Sequence, residues 1–109
     1  MLAKDYRLNL RFETDYRNQF SRISSPRLIL LFQKDTQLPH PKVAILVSKR
    51  LSNRAVDRNH YRRFISGLVE KNWNLLSPGL KVIIIPKHQF EFKTYEVESE
   101  IKQLFGRLS

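Results

Sequence analysis

The sequence predicts an α+β domain, with one mixed, mostly antiparallel sheet and three helices packed on it. Three observations carry this. Leu28–Gln33 (LILLFQ), Val43–Ser48 (VAILVS) and Lys81–Pro86 (KVIIIP) are apolar almost without alternation, as strands covered on both faces are. Three other stretches repeat apolar residues at helical spacing, beginning near Asp15, after Ser52 or Asn53, and after Thr94. Breakers separate them: Ser25-Pro26, the segment KDTQLPHP with Pro39 and Pro41, and Ser77-Pro78-Gly79. At 109 residues the chain makes one domain, residues 1–109, with enough length for a single core.

Residues 1–12 are polar and basic and read as an extended lead-in. Thr14 is placed to cap a helix from about Asp15, whose charge suits a helix N-terminus. Tyr16, Phe20 and Ile23 follow at i, i+4 and i+7 and give that helix one narrow apolar stripe, ended by Ser25-Pro26. A short strand around Arg22–Ser25 is conceivable and makes the order α-β-β-β-α-β-α. Leu28–Gln33 and Val43–Ser48 are expected to pair antiparallel. Ser52 or Asn53 is placed to cap the long second helix, whose packing stripe is Tyr61, Phe64, Ile65, Leu68 and Val69. Gly67 inside it should cost about 1 kcal/mol relative to alanine, with close packing the one structural reason for it. After the strand Lys81–Pro86 and the loop KHQFEFK, Thr94 caps the last helix. Glu96 and Glu98 in its first turn and Arg107 near its end suit the helix dipole. Its buried face is Val97, Ile101, Leu104, Phe105 and Leu108.

Charge narrows the function. Twenty Lys plus Arg against ten Asp plus Glu leave +10, an excess that favours polyanions: RNA, DNA or an anionic membrane. Seven of the cations (Lys42, Lys49, Arg50, Arg54, Arg58, Arg62, Arg63) fall between residues 42 and 63 with Asp57 as the one acid, a local +6. The acids gather elsewhere, at Glu91, Glu96, Glu98 and Glu100. Basic residues on a helix usually form a solvated face. Arg54, Arg58 and Arg62 have no glutamate at i+4, and they extend the packing face instead of opposing it. A helix anchored from Tyr61 onward and cationic before it needs an anionic partner, and the planar arginine fork suits phosphate. Tyr16, Phe20 and Phe32 admit two readings. They are core residues or, if the first helix leaves part of the sheet uncovered, rings of a groove on which single-stranded bases stack.

Several chemistries are excluded. Without cysteine there is no disulfide framework or thiolate metal site, which fits a reducing compartment. No stretch has signal-peptide or bilayer-spanning length, so a soluble, cytoplasmic setting without membrane contact is expected. Gly67, Gly79 and Gly106 are too far apart for a phosphate loop. His40, His60 and His88 lack metal-ligand spacing and read as loop or helix-surface residues. Glu13 with Asp15, or Asp35, read as helix-end and loop carboxylates and not as the metal ligands of a nuclease. No catalytic side chain and no cofactor bound by the protein alone are expected.

The stretch AVDRNHYRR resembles the signature of the bacterial ribonuclease P protein component, in which an Arg-Asn-Arg core opens a basic helix after a Ser-Lys-Lys/Arg loop. The matching positions are Ser48-Lys49-Arg50, Ala55-Val56, Arg58-Asn59 and Arg62-Arg63. Asp15-Tyr16 with Phe20, His40-Pro41 before VAILVSK, and KVIIIPK are similar to further parts of the family pattern. The resemblance implies a small α/β sandwich whose basic helix lies in a left-handed β-α-β crossover, as in ribonuclease P protein and related ribosomal-protein folds. It also implies the accessory subunit of a ribonucleoprotein endonuclease that removes the 5′ leader of precursor tRNA. In that enzyme the catalytic RNA does the chemistry with Mg2+, and the protein is a monomer without RNA. By resemblance, Lys49, Arg50, Arg54, Arg58, Asn59, His60, Arg62 and Arg63 meet RNA, while Tyr16, Phe20 and Phe32 hold the leader. The chain departs from the pattern at His60, which replaces the second arginine of the core, and at Ser66-Gly67, where the family has Arg-Glu. Tyr16 replaces the family's first Phe. Two other functions stay open on the residues alone: a structural RNA-binding protein of ribosomal type, and a protein-only nuclease.

Overall fold

A strand that is apolar on both faces needs cover above and below, and hydrogen-bonded neighbours along both edges suit it best. The run Val82–Ile85 imposes this, and the sheet is arranged around it. The computed structural model describes residues 6–8, 20–35 and 37–108. Its four strands are β1 (Ser21–Ser24), β2 (Leu28–Lys34), β3 (Lys42–Ile45) and β4 (Leu80–Pro86), in the spatial order β1-β2-β4-β3. β2 pairs antiparallel with β1, Ser21 opposite Phe32, and with β4, Leu28 opposite Pro86. β3 runs parallel to β4, Val43 opposite Val82. The expected pairing of β2 with β3 is therefore corrected: β4 stands between them. β3, only four residues long, takes the edge, where Arg7 bridges to Val43.

Two α-helices, α1 (Ala55–Lys71) and α2 (Thr94–Gly106), cover one face, with a short 3-10 turn at Trp73–Leu75. Leu28 and Leu30 of β2, Val43 of β3, and Leu80, Val82 and Ile84 of β4 meet Ile65, Leu68 and Val69 of α1 and the predicted stripe of α2. Burying each such side chain stabilises by about 1.5–3 kcal/mol. The alternate residues Leu31 and Ile83 point to the opposite face, where they pack with Leu8 and Phe20. α1 joins the parallel neighbours β3 and β4, so the β-α-β crossover of the resemblance is present.

Most of the expected first helix lies outside the described residues, which contain two α-helices; the turn of it that is described, around Ile23, is strand β1, the short strand that the order α-β-β-β-α-β-α includes. Ile23 stands opposite Leu30 and packs on the main core. The reason is tertiary: β2 is apolar on both faces and has a second edge to satisfy, and the turn closed by Ser25 N–H on Leu28 O (2.8 Å) folds the preceding residues onto it. Both expected caps also shift. Arg54 and Lys93 occupy the cap positions, neither with a side-chain cap. Ser52 acts from outside the helix, its hydroxyl accepting from Arg54 N–H (3.2 Å) and donating to Asp57 Oδ2 (3.0 Å). Glu98 lies beyond the first turn and accepts from Asn72 Nδ2 (3.1 Å).

Glu100, in the sequence one of a group of acids, is buried within α2 and ties it to the β1–β2 turn. Its Oε1 accepts from the Ser25 hydroxyl (2.6 Å) and Arg27 N–H (2.8 Å), and its Oε2 from Arg27 Nη1 (2.5 Å). Burial works against its ionisation, but the hydrogen bonds from Ser25 and Arg27 outweigh that and hold the carboxyl below its ordinary range.

A depressed carboxyl contributes stability that is present above its unfolded pKa, about 4.3 for Glu, and is lost as pH falls through the lower folded value. Urea midpoints measured from pH 6 downward, values roughly bracketing that range, should fall more steeply for the wild type than for Glu100→Gln. Parallel curves would remove Glu100 from the acid response. At Gly67 an added Cβ meets nothing within 4 Å, so close packing is not the reason for this glycine. Gly67→Ala should raise the urea midpoint, by up to about 1 kcal/mol of stability. A lower midpoint would contradict the open space seen there.

Candidate nucleic-acid interface

The segment between β3 and α1 is held by its apolar residues and presents its basic ones. Leu51 N–H closes a turn on Ser48 O (3.1 Å), and the Leu51 side chain packs with Val47 and Tyr61. Gln89 Nε2 donates to Leu51 O (2.7 Å). Lys49 and Arg50, at the tip of the turn, are left exposed.

The arginine stripe divides into two kinds of residue. Arg58 Nη1 donates to Ser52 O (3.0 Å), and Arg62 Nη2 donates to Val47 O (3.4 Å) while its Nη1 donates to Asn59 Oδ1 (2.9 Å). These two guanidiniums brace the basic turn through main-chain carbonyls. Arg54 is presented instead, with 75% of its side chain exposed and its Nε 3.9 Å from Asp57 Oδ2. His60 and Arg63 are exposed on the same two turns. The eight RNA-binding candidates occupy adjoining stretches: Lys49 and Arg50 the turn, Arg54 the helix cap, and Arg58, Asn59, His60, Arg62 and Arg63 successive sides of the first turns of α1. The positive end of the helix dipole adds to their field.

Tyr61 fixes this end of α1 to the segment after β4. Its hydroxyl donates to Phe90 O (3.1 Å) and accepts from Phe90 N–H (2.9 Å). Its ring meets Phe90 and Phe92 edge-on at 5.2 and 4.8 Å, and Phe64 stacks on Phe92 at 4.4 Å. Sequence reasoning passed over these loop phenylalanines. The alternation Phe90-Glu91-Phe92 in a polar loop was the available signal.

Of the residues named for the aromatic groove, the two described ones stand on opposite faces of the sheet. Phe32 alternates with Leu28 and Leu30 and is partly buried against the helix-covered core, whereas Phe20 packs on the opposite face with Leu8, Leu31 and Ile83. Tyr16 lies outside the described residues. A strand apolar on both sides carries no sign of which residue faces which way, and Leu31 holds the place expected of Phe32.

Fold and surface together define a class: a small α+β domain that offers a braced, cationic helix end to a polyanion. Residues 2–109 match the family model Ribonuclease P. The chain is 31% identical over 97 residues to the ribonuclease P protein component of Synechocystis sp., covering 88% of this chain and 77% of that one. It is 26% identical over 102 residues to that of Clostridium novyi, covering 93% and 89%. Among solved structures, the RNase P protein from Thermotoga maritima has the same fold, with a TM-score of 0.79 at 20% identity over 94% of this chain and 97% of that one. The RNase P protein of Staphylococcus aureus matches with a TM-score of 0.77 at 16% identity over 95% of each. The chain belongs to the ribonuclease P protein family, and its role is that of the protein subunit of this ribonucleoprotein endoribonuclease. The structural ribosomal-type role is not favoured.

If Arg62 braces the basic turn, Arg62→Ala should speed hydrogen exchange at the Leu51 amide, with Arg54→Ala leaving it as in the wild type. Equal rates in the two variants would show that the turn holds without the brace.

Proposed function

We propose that this chain binds the catalytic RNA of ribonuclease P through the turn 48–52 and the first turns of α1, and so supports 5′ maturation of precursor tRNA. The observation that carries the reading is the assembly of Lys49, Arg50, Arg54, His60 and Arg63, exposed, around a helix end braced by Arg58 and Arg62. A main chain already held in place loses little further freedom when its exposed cations meet phosphate, so more of each charge contact is retained as affinity. Asn59 is committed to Arg62 and acts within the brace. His60 offers a ring in place of the family's second guanidinium fork. The leader of precursor tRNA is assigned to the sheet face away from the helices, with Phe20 kept in that assignment and Phe32 removed from it.

Catalysis is assigned to the RNA, whose bound Mg2+ supplies the activated water and stabilises the leaving oxygen. A cationic surface repels that ion, so the side chains named here do not hold it. They lower the repulsion between RNA phosphates that Mg2+ would otherwise have to screen. Among the described residues no helix is long and apolar enough to cross a membrane. We place the chain in the cytoplasm, a monomer until it meets RNA.

Reconstitution with a ribonuclease P RNA at low Mg2+ should raise the rate of precursor tRNA cleavage; no gain there would overturn the proposal. Arg54→Ala and Arg63→Ala should each weaken RNA binding and flatten its log–log salt dependence by roughly one or slightly less per phosphate contact. An unchanged slope would take that side chain off the phosphates.

A further inference from the structure

Beside the cationic helix end lies a cleft of about 410 Å³, between Asp57, His60 and Tyr61 of α1 and the segment Gln89 to Phe92. That volume falls within the roughly 300–1,000 Å³ of small-ligand sites. Two features set it apart from the surface around it. Its wall is aromatic: Phe92 keeps 41% of its surface exposed although Phe64, Tyr61 and Phe90 all touch its ring cluster. Its charged groups include two carboxylates beside His60 and Gln89, where the neighbouring surface is basic. Asp57 Oδ2 takes the Ser52 hydroxyl, leaving Oδ1 without a partner among the described residues, and Glu91 is exposed at the rim.

Resting on the RNA-binding reading above, we infer that this cleft takes one unstacked base of the partner RNA, guanine before the others. Carboxylates repel phosphate, so the backbone stays outside, within reach of Arg54, whose Nε lies 3.9 Å from Asp57 Oδ2. A base brings a flat face to the rings and an edge to the carboxylates. Guanine N1–H and N2–H are adjacent donors that match a carboxylate acceptor. Adenine and cytosine set an acceptor beside their amino group, and uracil flanks its single N–H with two. The arginines grip phosphates in sequence-independent fashion, and the cleft would add base selectivity to that grip.

The test measures binding of ribonuclease P RNA across a salt series, with melting temperatures as the fold control. Phe92→Leu should weaken binding about tenfold, the loss of one base–aromatic stack, with the salt slope unchanged because no phosphate contact goes. Asp57→Asn keeps an oxygen for Ser52 and removes a negative charge. It should weaken binding several-fold if a base donates to this carboxylate, whereas an RNA that merely passes by would bind more tightly. Wild-type affinity in Phe92→Leu, or tighter binding in Asp57→Asn, overturns the cleft. Should Phe92→Leu melt early, Asp57→Asn decides by its sign. A photo-crosslinking benzoylphenylalanine at position 92 should mark one unpaired guanine; marking spread over paired RNA, or labelling of another base, overturns the assignment. If Arg54→Ala flattens the salt slope while Phe92→Leu binds as wild type, the RNA reading stands without the cleft. If the wild type binds no RNA, both fall.

Discussion

The constraint on which the structure depends is that β4 must be covered on both faces and paired along both edges. Its residues Val82 to Ile85 are too apolar for an edge, so β2 and β3 are set apart to admit it. β3 and β4 then run parallel, and a parallel pair requires a crossover, which is α1. The crossover brings the basic turn after β3 alongside the first turns of α1. The segment that leaves β4 reaches the same place, where Phe90 closes on Tyr61. Each part of the candidate interface thus descends from where one strand sits in the sheet.

The interface owes its character to a division of labour among residues of one type. Arg58 and Arg62 hold carbonyl oxygens, and Arg54, Arg63, Lys49 and Arg50 face solvent. A long cationic side chain left to itself loses rotamer entropy when it binds. A turn fastened at Ser52, Val47 and Leu51 brings its cations to the ligand with the main chain already placed. Two of the acids, Glu96 and Glu100, are taken up by Arg27 and so do not offset the cations of the turn.

Much of this was legible in the residues, for identifiable reasons. The 3.6-residue period of α1 and α2 predicted which side chains would be buried, and Ile65, Leu68, Val69, Val97, Ile101, Leu104, Phe105 and Leu108 all are. The clustering of cations before Tyr61 located the interface. What failed was non-local. Ile23 fits a helical stripe and a strand equally well, and only the free edge of β2 decides between them. Phe32 and Leu31 are both apolar, so no alternation showed which faces the helices. Arg58 and Arg62 reach the turn through main-chain carbonyls, which every residue possesses and no sequence pattern marks. Glu100 looked like one more exposed acid until the turn at Ser25 and Arg27 was seen to close over it.

The spatial order β1-β2-β4-β3 also governs how the chain can be made. Among the described strands, the interior strand β4 is the last to be synthesised. Until residue 86 has left the ribosome, β2 and β3 have no common neighbour, and α1 has half a surface on which to lie. The hairpin of β1 and β2 can form early, but alone it buries little. Closure of the core, and with it the placing of the basic turn, is therefore a late and concerted event. A nascent chain short of β4 exposes an apolar edge to whatever strand it meets.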